Sequence, residues 1–116
     1  MNRAILSLAV ILLILPSCNK DEDVKSSTLK KLYEIYEGGE IDECLYNGEI
    51  VYFAGINAYD AASQVLDLEG NIMGNCNYAF GLVDEICNQL TECEVIYRGD
   101  NHISGEPPVD KYGLGK

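Results

Sequence analysis

The chain has no tryptophan, one histidine, three prolines and only eight basic residues among 116. Each shortage narrows what the protein can be. The lone histidine, His102, cannot build a zinc site without several cysteine thiolates, and Cys87 and Cys93 are not spaced as the close C-x2-C type. A cysteine nucleophile served by His102 fails too, because cysteines paired in disulfides are lost as nucleophiles; His102 reads as a loop residue. The shortage of lysine and arginine leaves a formal net charge of -11. That charge repels nucleic-acid phosphates and the anionic face of a membrane. It suits solubility, divalent cations or a basic partner protein. The sequence has no phosphate-binding loop, no internal repeat and no low-complexity segment. Its longest apolar run, Ala4 to Leu15, is broken only by Ser7 and falls short of the roughly 20 residues that a membrane-spanning helix needs.

What is present begins with that run. Arg3 gives a cationic start, the apolar stretch has the length of a signal-peptide core, and Pro16 ends its helical tendency. Ser17 is small, as a cleavage site requires, and Cys18 follows. The charged segment Asn19-Lys20-Asp21-Glu22-Asp23 comes next.

Leu15, Ser17 and Cys18 resemble the lipobox of bacterial lipoproteins: an aliphatic residue, a small residue directly before the cysteine, then the cysteine itself. Pro16 departs from the commonest residue at its position. The resemblance implies cleavage before Cys18 and lipidation of that cysteine by a thioether-linked diacylglycerol, with a further acyl chain on its amine. Two or three chains at about 0.8 kcal/mol per buried methylene hold such a protein to a membrane durably. The segment after Cys18 is similar to the lysine-plus-acidic export signal of Bacteroidetes lipoproteins, which implies an outer-membrane, cell-surface location.

These features divide the chain into a signal peptide (1–17), a lipidated cysteine and flexible tether (18–27), a compact domain (28–100) and an extended C-terminal arm (101–116). Losing Arg3 with the leader makes the mature part about one unit more negative. A domain of this size buries only about 60–65% of its unfolded surface and is commonly stapled. Cys44, Cys76, Cys87 and Cys93 form an even set in an exported domain, so they read as two disulfides. Three connectivities are open; the reading adopted joins Cys87 to Cys93 and Cys44 to Cys76, because a single turn separates the first two.

Along the domain, Ser26, Ser27 or Thr28 is placed to cap a helix. Leu29, Leu32, Tyr33 and Tyr36 recur at helical spacing, and Gly38-Gly39 ends the run. Asn47-Gly48 lies between two strand-like runs, Ile41 to Tyr46 and Glu49 to Ala54, and is a strong hairpin signal. A second hairpin is expected around Gly70, between Gln64–Asp67 and Asn71–Gly74. Leu82, Val83, Ile86, Cys87 and Leu90 have helical spacing and predict a second helix over 80–90. Glu94 to Arg98 reads as a last strand, and Pro107-Pro108 excludes a continuing helix. The arm is expected to be ordered only if Val109, Tyr112 or Leu114 docks. The predicted class is α+β: a small antiparallel sheet of about four to five strands packed on one or two helices and stapled by disulfides. The domain resembles small uncharacterised lipoprotein domains of Bacteroidetes, through Val51-Tyr52 and the Asp67-x-x-Gly70-Asn71 turn; this likeness implies no functional residues.

Few residues point to chemistry. Asp67, Glu69 and Asn71 place oxygen side chains on alternate positions, as a calcium loop does, but the glycine and the twelfth-position glutamate of an EF-hand are out of place, and a tight turn is the better reading. Glu40, Asp42 and Glu43 read as a solvated acidic face. Eight tyrosines against two phenylalanines make tyrosine the unusual component. Tyr46, Tyr59, Tyr78 and Tyr112 fall at turns or ends and are the binding-surface candidates, since tyrosine is rigid, amphipathic and frequent at interfaces. No catalytic residue, metal site or cofactor is assigned. The sequence therefore predicts a non-enzymatic, lipid-anchored envelope protein that binds a protein or glycan and not nucleic acid. The alternatives are an inhibitor of a cationic enzyme such as lysozyme or a protease, and a calcium-binding accessory domain.

Overall fold

The computed structural model describes residues 21–116. The leader, the Leu15-to-Cys18 tetrapeptide and the first two residues of the expected export signal, Asn19 and Lys20, lie outside the described residues. Helix α1 occupies residues 21–36 of the described chain. Seven strands follow: β1 (Glu40–Tyr46), β2 (Glu49–Gly55), β3 (Ser63–Leu66), β4 (Ile72–Asn77), β5 (Leu82–Val83), β6 (Thr91–Arg98) and β7 (Val109–Asp110). They form one antiparallel sheet in the order β5-β4-β3-β2-β1-β6-β7. The α+β class holds, with more strands than the four or five expected.

The stripe Leu29, Leu32, Tyr33 and Tyr36 does face the sheet, and Gly39 closes the helix by donating its N–H to the Tyr36 carbonyl. The helix starts earlier than the sequence suggests. No glycine or proline interrupts residues 21–28, and Lys25 is held by Glu43 and Tyr112, so the segment expected as tether over 21–27 is helical. Thr28 is accordingly not a cap. It is buried, and its hydroxyl donates to the Leu68 carbonyl at 2.7 Å, tying the helix to the β3–β4 turn.

The β1–β2 hairpin forms around Asn47-Gly48 with both residues at positive φ, as a two-residue turn requires. Alternation along β2 then sorts its side chains. Ile50, Tyr52 and Ala54 join the helix-side core with Leu29, Leu32, Ile41, Leu66 and Ile96, whereas Val51 and Phe53 join a second cluster on the other face with Cys44, Val65, Cys76 and Cys87. Gly39 lies so close to β2 that a Cβ there would meet the Gly55 carbonyl oxygen at 2.0 Å. β6 departs from strict alternation: a bulge between its Tyr97 and Val95 pairings with β1 turns both Ile96 and Tyr97 into the helix-side core.

Two expectations are corrected. Residues 80–90 do not form a helix; the chain makes β5 and then a single 3-10 turn at Glu85–Asn88. Gly81 sits at positive φ, Asp84 donates its N–H to the Asn75 carbonyl and accepts the Asn75 N–H on its carboxylate, and Cys87 is bonded to Cys76 on β4, so the segment is drawn onto the sheet. The apolar spacing serves a covering turn in which Val83, Ile86 and Leu90 pack on the second cluster while Leu82 faces solvent. The disulfides join Cys44 to Cys93 and Cys76 to Cys87, not Cys87 to Cys93 and Cys44 to Cys76. β6 runs beside β1, which sets Cys93 next to Cys44, and the chain returns from β5 over β4, which sets Cys87 over Cys76. The C-terminal arm is docked: β7 pairs with β6, Leu114 packs on the helix-side core, and Lys111 pairs with Glu94 at 2.7 Å.

Candidate functional site

The strand register defines two ends. Glu40, Gly55, Ser63, Cys76 and Arg98 form a row of neighbours at one end of the sheet. The loops 56–62, 78–81 and 99–106 all leave from that row. Asn57 links two of them: its side-chain amide donates to the Asn101 carbonyl at 3.3 Å, and its Oδ1 accepts the Ile103 N–H at 2.8 Å. Phe80 N–H donates to Asn77 Oδ1, fixing the third loop. At the opposite end lie the start of the described helix and the β1–β2 and β3–β4 turns. Asp21, Glu22, Lys25, Glu49, Asp67 and Glu69 there surround an open groove of about 710 Å³.

The loop end carries a set of large apolar side chains in solvent. Tyr59 is 80% exposed, Leu82 70%, Phe80 69% and Tyr78 58%. Ile56 and Ile103 are exposed on the two loops joined through Asn57. Scattered exposed apolar residues are ordinary, but their concentration on neighbouring loops is not.

The tyrosine candidates separate. Tyr59 and Tyr78 belong to the loop end. Tyr46 packs against the second cluster at the other end of β1. Tyr112 is a structural strap: its hydroxyl donates to Glu43 at 2.9 Å and accepts from Lys25 at 3.1 Å. Lys25 also pairs with Glu43 at 3.2 Å, and its ammonium lies 4.8 Å from the centre of the Tyr112 ring. The four tyrosines therefore do not compose one surface.

Asp67, Glu69 and Asn71 form a turn. Asp67 Oδ1 accepts the N–H groups of Glu69 and Asn71, and Oδ2 accepts from the Asn71 amide. Burial raises the Asp67 pKa, but these bonds outweigh it and hold the carboxyl below its usual range. The carboxylate's lone pairs serve the turn, and no group of three metal-ligating side chains occurs among the described residues. His102 is likewise locally engaged: Nδ1 lies 2.8 Å from Ser104 Oγ and accepts the Ser104 N–H. This Ser–His pair sits on one exposed turn, with the Ser104 Oγ also accepting from Glu106 N–H, so the hydroxyl caps the turn.

One titratable group stands apart. Asp42 lies on the face away from the helix, beside Glu40, and its Oδ1 is buried without a partner. Burial first, then the neighbouring Glu40 carboxylate, push Asp42 up to about 7, against the pull of Arg98. Glu40 is held by Arg98 Nε at 2.7 Å, and Arg98 Nη1 donates to the Pro107 carbonyl at 3.0 Å. The acidic face expected here is thus partly an internal network. None of the three principal cavities is lined by Asp42.

No protein-family model matches the chain, and no curated protein or solved structure matches it. The site must be read from its own chemistry.

Sequence reasoning passed over Phe80, Leu82 and Ile56. A usable signal was present. Between Lys31 and Arg98 the chain contains no lysine or arginine, while most of its 19 acidic residues fall in that interval. The exposed apolar loops 56–62 and 78–81 lie wholly within it. Among the described residues, three ion pairs join β1 and β6 to the helix, to each other and to the C-terminal arm. Among the described residues no helix is long and apolar enough to cross a membrane.

Proposed function

We propose that this protein is a lipid-anchored envelope domain that recognises another macromolecule and is not an enzyme. The observation that carries the reading is the opposition of its two ends. Asp21, three positions after Cys18 in the chain, borders the groove at the turn end. The exposed apolar loops leave the other end of the sheet. Anchoring through Cys18 would keep the turn end against the membrane and hold the loops outward, because three residues span at most about 10 Å.

The test is fractionation of cells making the full chain with Cys18 intact or replaced, combined with metabolic labelling by an acyl-chain analogue. The intact protein should take up label and remain with membranes; Cys18→Ala should do neither. A Cys18→Ala protein that stays in the membrane fraction would refute the lipid anchor.

A second reading, inhibition of a cationic enzyme, is favoured by the cation-free interval from 32 to 97. Acidic surfaces steer basic partners and speed association at low salt. Dose-dependent inhibition of lysozyme that weakens with added salt would support it; full lysozyme activity at low salt with excess protein would exclude that target.

A further inference from the structure

We infer that the loop end of the sheet is a docking surface for a cationic protein segment bearing apolar side chains. This rests on the recognition reading above and adds the location of the surface and the chemistry of its partner.

The first ground is the character of the surface. Ile56 and Tyr59 on one loop, Tyr78 and Phe80 on a second with Leu82 at the start of β5 beside it, and Ile103 on a third present aromatic and aliphatic groups to solvent. Aromatic side chains dominate binding energy when a partner desolvates them, and they lose little rotamer freedom in doing so. The loops are not loose. Asn57 joins the first to the third, Asn77 and a Gly81-to-Tyr78 backbone bond close the second, and the row from Gly55 to Cys76 fixes their roots. A partner would therefore meet a surface already ordered, which lowers the cost of association.

The second ground is charge. Asp60 adjoins Tyr59, and Asp100 and Glu106 flank Ile103 in the chain. The two loops that carry most of the apolar groups contain no cation, and the one basic residue at their base, Arg98, is engaged by Glu40 and Pro107. Apolar groups rimmed by carboxylates that have no ion-pair partner among the described residues complement a segment that alternates lysine or arginine with large apolar residues. The same rim disfavours the other occupants. Anionic lipid headgroups would be repelled, and a second copy of this chain would bring its own carboxylates against these.

The experiment uses the full-length protein in detergent micelles, titrated with a synthetic peptide alternating arginine and leucine. The comparison peptides carry glutamate for arginine or serine for leucine. The arginine–leucine peptide should bind, with affinity falling as salt rises. Each comparison peptide should bind at least tenfold more weakly. The variant Tyr59→Ser/Phe80→Ser should lose at least tenfold for the arginine–leucine peptide, while Ile72→Ser, which removes an exposed apolar group at the opposite end of β4, should stay within twofold. Circular dichroism on each variant verifies the fold; if the double variant unfolds, Leu82→Ser alone takes its place. Equal binding by the double variant, or equal binding of the glutamate–leucine peptide, overturns the inference. Binding to phosphatidylglycerol vesicles or chitooligosaccharides that is lost in the double variant, with no binding of the arginine–leucine peptide, also overturns it by assigning the surface to a membrane or a glycan. The Cys18→Ala chain separates the two proposals. If it remains membrane-bound yet binds the peptide normally, the anchor fails and the surface stands; if it leaves the membrane while the double variant binds like wild type, the surface fails and the anchor stands.

Discussion

The two faces of this sheet are buried by different means. On one face a helix lays Leu29, Leu32, Tyr33 and Tyr36 over Ile41, Tyr52, Leu66 and Ile96, and burial of apolar side chains drives the packing. On the other, no α-helix of the described residues packs. Val51, Val65 and the cysteines are covered by a short strand, a single 3-10 turn and two disulfides. The comparison shows how a small domain can close a sheet on both sides with one helix: covalent bonds replace the missing layer. It also predicts that the two faces fail differently.

The largest effect should come from the covalent face. Cys44→Ser/Cys93→Ser opens a link between residues 49 apart, and loop-closure entropy puts the loss at about 4 kcal/mol. Denaturant unfolding at equilibrium measures it. A loss below that of Cys76→Ser/Cys87→Ser, which spans only 11 residues and should cost about 3 kcal/mol, would show that entropy of the unfolded chain is not the main contribution. On the helical face, Leu32→Ala should cost about 3 kcal/mol by lost transfer energy and an unfilled cavity. Because this loss does not depend on oxidation, it should persist in reducing buffer, where the cysteine variants become indistinguishable from wild type.

A smaller effect concerns pH. The Asp42 carboxyl titrates near 7 in the fold and about 3.9 when unfolded, so the folded state holds the extra proton between those values. Stability is therefore greatest, as far as this group is concerned, below about pH 4 and declines as pH rises through 7. Asp42→Asn, which cannot ionise, should match wild type near pH 3, below both pKa values, and gain about 1 kcal/mol at pH 8 after allowance for solvent screening. A melting temperature several degrees higher at pH 8 alone is the expected reading, since 1 kcal/mol is worth about 4–8 °C in a domain of this size. Equal differences at both pH values would assign the effect to something other than ionisation. The smallest effect is expected at Tyr52, whose ring is fully buried and whose hydroxyl has no partner. Tyr52→Phe removes a desolvated polar atom and should be neutral or stabilising by up to about 1 kcal/mol in thermal unfolding. A loss above that size would mean the hydroxyl is satisfied in solution.

The helical face was largely legible in the sequence. Helical spacing marked α1, Asn47-Gly48 marked the first hairpin, and Gly70 at positive φ marked the second. The covalent face was not. Leu82, Val83, Ile86, Cys87 and Leu90 have the spacing of a helix, and only the closure of Cys76 to Cys87 and the bonds of Asp84 to Asn75 turn them into a strand and a turn. The pairing of Cys44 with Cys93 depends on β6 inserting beside β1, a long-range choice that local pattern does not encode. The proposed binding surface was half visible: Tyr59 and Tyr78 stand out as tyrosines at turns, whereas Leu82 falls in the helical stripe and Phe80 and Ile56 carry no local signal. Asp42 read as solvated because β1 was given a polar face, and its burial against the opposite side of the sheet appears only in three dimensions.

The strand order has a temporal consequence. In a chain emerging from its N-terminus, β1 to β5 can assemble as a run of neighbours, each pairing with the strand before it. Local pairings of this kind form quickly. Cys76 and Cys87 meet within that run and can oxidise early. Cys44 sits on β1 with one edge unpaired until β6 arrives, 49 residues after it, so its thiol waits in the presence of Cys76 and Cys87. The wrong partners come within reach before the right one exists, and thiolate exchange must then undo any bond made too soon. Maturation of this small domain should accordingly be limited by disulfide reshuffling, and a disulfide isomerase should accelerate it more than a simple oxidant does.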